Sequence, residues 1–269
     1  MRKSRIALCL SLVLGATVAA PAAPRKKAPA AALVSSAEVA ALSSADPEVA
    51  ARAAEALGAH TSAAAHDALL DALALGVSPE VAVPVIQAIA LHPAPVDVTS
   101  LLRYVTHLNP TVRNATLAAL AAYPDPVAQR AITGRLGDHV VIVRAAAAAA
   151  AAKGKVRIAI DPLLVLLARG EEASAHALAA MADLDLARRI AEQLGKVPDA
   201  TLALCLGEVL KRKDFGPDTA RVELVRAIGK IQDGAAVNAL TDYLDQSPRT
   251  PARPSRDEAK AIVDARGGK

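Results

Sequence analysis

The sequence predicts an all-α protein, an α-solenoid of about six stacked helix pairs. Three observations carry that expectation. Alanine fills 66 of the 269 positions, and it is the strongest helix former. The chain is 53% hydrophobic yet holds one Phe, three Tyr and no Trp. That is too few aromatics for an aromatic-cored β-sandwich or for a surface that stacks bases or sugar rings. An apolar pattern also recurs about every 31 residues, the mark of supersecondary units that stack to share a core.

The N-terminus comes first in the chain and reads as an export signal over 1–22. Arg2, Lys3 and Arg5 precede a short apolar run over 6–20, and Ala20-Pro21-Ala22 has the small-x-small form cut by a signal peptidase. Cleavage is expected near Ala22, with Ala19 as the other site. An uncleaved anchor is the rival, and the run is shorter than a spanning helix needs. The expected address is exported, periplasmic or secreted. Residues 23–33 are rich in Pro and Ala around Arg25-Lys26-Lys27 and read as a basic tether. With Cys9 removed by cleavage, Cys205 has no intrachain partner, and its setting, Leu202-Ala203-Leu204-Cys205-Leu206, is that of a core residue.

The solenoid is expected over 34–245. Side chains at i, i+4, i+7 and i+8 share one helical face. The spacing reads Val49-Ala53-Ala56-Leu57, Val81-Val85-Ala88-Ile89, Val112-Thr116-Ala119-Leu120, Val143-Ala147-Ala150-Ala151, Ala173-Ala177-Ala180-Met181 and Ala220-Leu224-Ala227-Ile228. The third position is alanine each time, and a methyl there lets two helices approach closely. A second column, Leu70, Leu101, Ile132 and Leu163, runs through the intervening helices. Each unit therefore holds an A helix and a B helix. Asp46-Pro47, Ser78-Pro79, Asn109-Pro110, Asp125-Pro126, Asp161-Pro162 and Pro217-Asp218 mark boundaries: Asp, Asn or Ser caps free amides, and Pro in the first turn lacks the amide that would be orphaned.

One step breaks the period. Ala180 and Ala227 lie 47 residues apart, a repeat plus about one helix, so one irregular unit is expected at 171–216. Either 171–182 pairs with 184–195 and 199–212 is extra, or 184–195 pairs with 199–212 and 171–182 is left over. Beyond it, 246–269 carries Pro248, Pro251 and Pro254 and reads as a flexible basic tail with one weak helix at 257–265.

The segments 46–58 (Asp-Pro-Glu-Val-Ala-Ala-Arg-Ala-Ala-Glu-Ala-Leu-Gly) and 227–240 (Ala-Ile-Gly-Lys-Ile-Gln-Asp-Gly-Ala-Ala-Val-Asn-Ala-Leu) resemble HEAT repeats. The likeness is to the short bacterial type found in phycobilisome lyases, and it covers roughly 46–245. It implies that Arg113, Arg144 and Arg221, at one repeat position, form a structural ladder with acidic turn residues of neighbouring units. It also implies a concave surface lined by the B helices. Arg103, Arg130 and Arg135 are the B-helix residues expected to bind a partner. Deoxyhypusine hydroxylase, a HEAT-like enzyme, holds iron through His-Glu dipeptides. This sequence has none, the nearest being His66-Asp67.

The remaining chemistry is sparse. His60, His66, His92, His107, His139 and His176 contain no i, i+4 pair and no His-Glu-x-x-His; they read as turn residues, with His60, His92 and Tyr123 in one edge strip. No nucleophile-elbow, phosphate-loop or dinucleotide motif occurs. No catalytic residue, metal or cofactor is expected. The overall charge is +4, but the signal, the tether and 249–269 each carry +3, so 28–248 is −5. An acidic body does not suit nucleic acid; the basic ends suit at most weak contact with a membrane surface. The expected function is an exported, non-enzymatic scaffold for protein-protein interaction in the cell envelope. The alternative is a small-ligand or cofactor-binding module, or a lyase-type accessory subunit, using the groove.

Overall fold

The computed structural model describes residues 34–267. The expected signal peptide and the tether over 23–33 lie outside the described residues. The helices are α1 (Ser36–Ala41), α2 (Pro47–Gly58), α3 (Ala63–Leu75), α4 (Pro79–Leu91), α5 (Asp97–Leu102), α6 (Pro110–Leu120), α7 (Pro126–Arg135) and α8 (Val141–Lys153). They continue as α9 (Ile160–Ala168), led by a 3₁₀ turn at Arg157–Ala159, then α10 (Glu172–Met181), α11 (Leu184–Ala191), α12 (Asp199–Lys211), α13 (Asp218–Lys230), α14 (Gly234–Gln246) and α15 (Pro254–Gly267). No strand occurs among the described residues.

The caps set most of these starts. Asp46, Asn109, Asp125, Asp183 and Asp233 each accept a hydrogen bond from a backbone amide in the turn they open, and Pro47, Pro79, Pro110 and Pro126 sit in first turns.

The helices form two layers. α2, α4, α6, α8, α10, α12 and α14 stack on one another in chain order, and the alternate helices from α3 to α15 form the second layer. α1 packs on α2. One continuous apolar cluster runs between the layers from Leu42 to Ala259. This is a solenoid of stacked helix pairs, in which each unit buries its apolar face against its neighbours.

The irregularity at 171–216 is one of register. Ala56, Ala88, Ala119, Ala150 and Ala180 lie in the first layer, but Ala227 lies on α13 in the second. The surplus is one helix, so the pattern changes layer while the alternation continues. No helix is left over: α10 packs on α9 and α12, and α11 on α12 and α13. Close approach falls on part of the alanine column. Ala88, Ala119 and Ala150 are buried, whereas Ala56 and Ala180 are exposed. On α2 the contact residue is Gly58, where a Cβ would stand 2.7 Å from Ala88 Cβ and 2.9 Å from its Cα.

The flexible tail is a correction. Residues 254–267 form α15, packed on α13 and α14. The Ser255 amide and hydroxyl bond Asp218 at 3.0 and 2.6 Å, and the same hydroxyl lies 2.6 Å from the Tyr243 hydroxyl. Arg256 donates to the carbonyls of Leu244 and Ser247, and Arg266 to those of Ile231 and Gly229. These cations satisfy the open carbonyl ends of α14 and α13, which removes them from the basic end expected to face a membrane. The solenoid therefore extends to 267, and 249–267 brings the folded charge to −3, since it holds five basic and three acidic residues.

Cys205 is buried. Burial pushes its thiol up to about 12, and a thiol reacts as its thiolate. In a Cys9→Ser chain the native protein is therefore expected to resist an aromatic disulfide reagent at pH 8, and to react with one equivalent in denaturant. Rapid native labelling would contradict this packing.

Candidate functional site

The strongest polar feature of the body centres on Asp97, the first residue of α5, which is fully buried. Its carboxylate accepts from the Ala94 amide and the Tyr123 hydroxyl, both at 2.7 Å, and lies 2.6 Å from His66 Nε2. A buried carboxylate is tolerated only when such neighbours replace its water. The partners come from α3, the turn before α5 and the turn after α6, so one side chain ties three successive units. Burial, and then the Asp97 carboxylate, push the Tyr123 hydroxyl well above its ordinary range, so it remains a donor. A parallel tie runs from the Tyr104 hydroxyl to the Leu73 carbonyl at 2.6 Å.

Beside this network lies an open cleft of about 350 Å³, walled by Pro93, Pro95, Val98, Tyr123, Pro124 and Pro126. Proline has a fixed φ and no amide to solvate, so these walls are stiff and apolar. Val96 and Val127 flank the cleft in sequence and are exposed.

The expected arginines separate into two groups. Arg113 is buried and donates to the carbonyls of His107 and Leu108 and, at 3.0 Å, to Asp138. Arg144 grips Glu171 and donates to the Asp138 carbonyl. Among the described residues Arg221 meets no carboxylate: it donates to the carbonyls of Leu210, Arg212 and Phe215 at the α12–α13 turn, and lies over the Phe215 ring. Its helix has changed layer, so its turn is on the other edge. Arg103 and Arg130 are exposed, at the end of α5 and within α7. Arg135 is half-buried and lies 3.5 Å from Asp138, so the structure groups it with Arg113.

Two carboxyls on these turns report acid sensitivity. Burial raises Asp138, but the Val140 amide and the Arg113 guanidinium outweigh it and hold the carboxyl below its ordinary value. Asp183 is lowered chiefly by the Leu186 amide, and also by Arg157. A carboxyl that is lowered on folding stabilises fully above the unfolded value, 3.8. It loses that contribution as pH falls through the folded value. Urea stability is expected to drop below about pH 4, and Asp138→Asn is expected to flatten the drop. An unchanged acid limb in that variant would contradict the pairing.

Several of these residues escape the sequence reading. Tyr123 is buried in the network, not part of an exposed strip, and His66 is a packed partner of a carboxylate. A signal existed: His66, Asp97, Ala128 and Ala159 share one repeat position at steps of 31, so two polar residues replace alanine in adjacent units. Among the described residues, no His/Cys/Asp/Glu group is arranged to hold a metal, and no helix is long and apolar enough to cross a membrane.

No family model and no curated protein matches the chain. Among solved structures it is similar to Kap121p bound to Ste12p, at 15% identity with a TM-score of 0.52, over 84% of this chain and 28% of that one. It is also similar to a chain of the CpcE–CpcF complex of phycocyanin lyase from Nostoc sp., at 19% identity and a TM-score of 0.48, over 92% and 99%. Human deoxyhypusine hydroxylase in complex with glycerol matches at 16% identity and 0.39, over 87% and 96%. The first likeness shows a HEAT-repeat fold and nothing further; the other two are too loose to argue from.

Proposed function

We propose that this HEAT-type solenoid is an exported, non-enzymatic scaffold that holds another protein against α5 and α7. The observation that carries the reading is a contrast in charge pairing along the second layer. From α9 to α15 three arginines of the face pair helix to helix: Arg189 with Asp161 at 2.6 Å, Arg188 with Glu223 at 3.0 Å and Arg226 with Glu258 at 3.0 Å. Arg169, at the end of α9, is exposed without an ion pair among the described residues. Arg103 and Arg130 have no ion pair among the described residues. An exposed, unpaired guanidinium is available to bind a carboxylate bidentately and to steer an acidic partner. A protein partner also fits the fold, since Kap121p, of the same architecture, is bound to Ste12p.

Affinity capture with the mature chain from its own cells, followed by identification of the captured protein, tests the reading. Arg103→Glu with Arg130→Glu is expected to lower recovery at least about tenfold, as reversal of interfacial charges should. Arg226→Glu should not. The cleft favours a second reading, a small ligand or cofactor or a lyase-type accessory role. Recovery of a chromophore or metal with no protein would select it.

Export rests on the N-terminal charge, apolar run and Ala20-Pro21-Ala22. Mass spectrometry of the chain from cells is expected to show a start near Ala23 in the exported fraction; retention of Met1 on all of it would overturn cleavage, and recovery of the chain from the cytoplasm alone would overturn export.

A further inference from the structure

We infer that the occupant of this face is an extended, acidic segment of another protein whose aliphatic side chains seat on a row made by Val96, Val127 and Ile158. This rests on the scaffold reading and gives its partner a chemistry. The three residues lie 31 positions apart, at the turns that open α5, α7 and the 3₁₀ lead of α9. They are 62%, 42% and 52% exposed. The residue after each, Asp97, Ala128 and Ala159, is fully buried, so the row stands on packed backbone. Single exposed apolar residues such as Leu75 and Leu108 occur elsewhere; these three recur at one repeat position on successive units, and apolar surface gathered in this way marks an interaction site.

The spacing selects the occupant's conformation. Packed helices lie about 8–10 Å apart. A polyproline II strand has three residues per turn and advances about 3.1 Å per residue. Every third residue of such a strand therefore meets the next member of the row. The proline-walled cleft joins the first two turns and receives a side chain between them, the manner in which stiff apolar grooves take preformed extended segments.

The charge selects its composition. Arg130 follows Val127 by three residues on α7 and stands beside the row. Arg103 follows Val96 by seven, on the same side of α5 but two turns along, at its other end. Three carboxylates on this side are engaged: Asp125 accepts the Val127 and Ala128 amides, Asp161 pairs with Arg189, and Asp183 pairs with Arg157. Asp67 and Asp71 on the neighbouring α3 are exposed and form no ion pair with either arginine among the described residues. An acidic occupant supplies the counter-charge that Arg103 and Arg130 do not receive from an ion pair among the described residues. The chain's own 23–33 segment is a poor match, because Arg25, Lys26 and Lys27 would oppose these arginines.

The test uses the mature chain and three fluorescent twelve-residue peptides: four repeats of Val-Pro-Glu, four of Val-Pro-Lys, and six of Val-Glu. Fluorescence anisotropy is expected to show binding of the first alone, weakening with salt. Val127→Asp and Arg130→Glu should each reduce it at least about tenfold, with Arg226→Glu unchanged and helicity unaltered in all three. Equal binding of the lysine peptide, or indifference to Val127→Asp, overturns the inference. Silence of all three peptides, with protein capture still lost on reversing Arg103 and Arg130, sinks the inference and leaves the scaffold reading standing. A dimer in sedimentation that Val127→Asp dissolves would assign the row to a second copy and also overturn it.

Discussion

Asp97→Ala is expected to cost about 3–5 kcal/mol. The substitution leaves the Ala94 amide, the Tyr123 hydroxyl and the His66 ring without the acceptor they share. Each buried donor stripped of its partner costs about 1–3 kcal/mol. In a solenoid each unit contacts only its neighbours, so the damage should be local. Hydrogen exchange is expected to accelerate in α3, α5 and the turn after α6, with α12 to α15 unchanged. Tyr123→Phe removes one donor and keeps the ring, so about 1 kcal/mol is expected. Equal effects from the two variants would deny Asp97 its role as the shared acceptor.

The second large effect is steric. Gly58 lies where α2 meets α4, and an added Cβ would stand 2.7 Å from Ala88 Cβ and 2.9 Å from its Cα. A backbone atom cannot rotate away, so the helices must part. Glycine to alanine within a helix ordinarily gains up to about 1 kcal/mol. Here Gly58→Ala is expected to lose about 1–3 kcal/mol instead, the usual cost of overpacking. Gly58→Leu should lose more. Ala88→Gly removes the opposing methyl but leaves its Cα at 2.9 Å, so the Gly58→Ala/Ala88→Gly chain should recover only part of the loss, a coupling that a double-mutant cycle reads directly. Additive losses in that cycle would rule out this contact as the cause.

The helices and their starts were largely legible, because their determinants are local. An Asp or Asn before Pro acts on amides two or three residues away, and the apolar face repeats every turn. The layered solenoid was legible for a related reason, since the repeat restates its packing position every 31 residues. What escaped depends on distant residues. α15 follows a proline-rich stretch and reads as a tail; contacts such as Ser255 with Asp218, 37 residues back, dock it. The change of layer at 171–216 looked like an interruption because spacing along the chain does not say which layer a helix joins. Asp97 is one more acidic residue near a helix start; its repeat position, shared with His66, Ala128 and Ala159, is the one local mark, and its burial against His66 and Tyr123 is what sets it apart from Asp46 or Asp125. For the exposed arginines, sequence position could not distinguish Arg135, 3.5 Å from Asp138, from Arg103 and Arg130.

The most direct measurement is photocrosslinking in the native cell. A benzophenone side chain is placed at position 127, 130 or 226 in turn, and the adducts are identified by mass spectrometry. We predict one defined protein adduct from 127 and 130, lost when Arg103→Glu is added, and none from 226. An adduct from 226 with silence at 127 and 130, or equal trapping at all three, would contradict a partner held on α5 and α7.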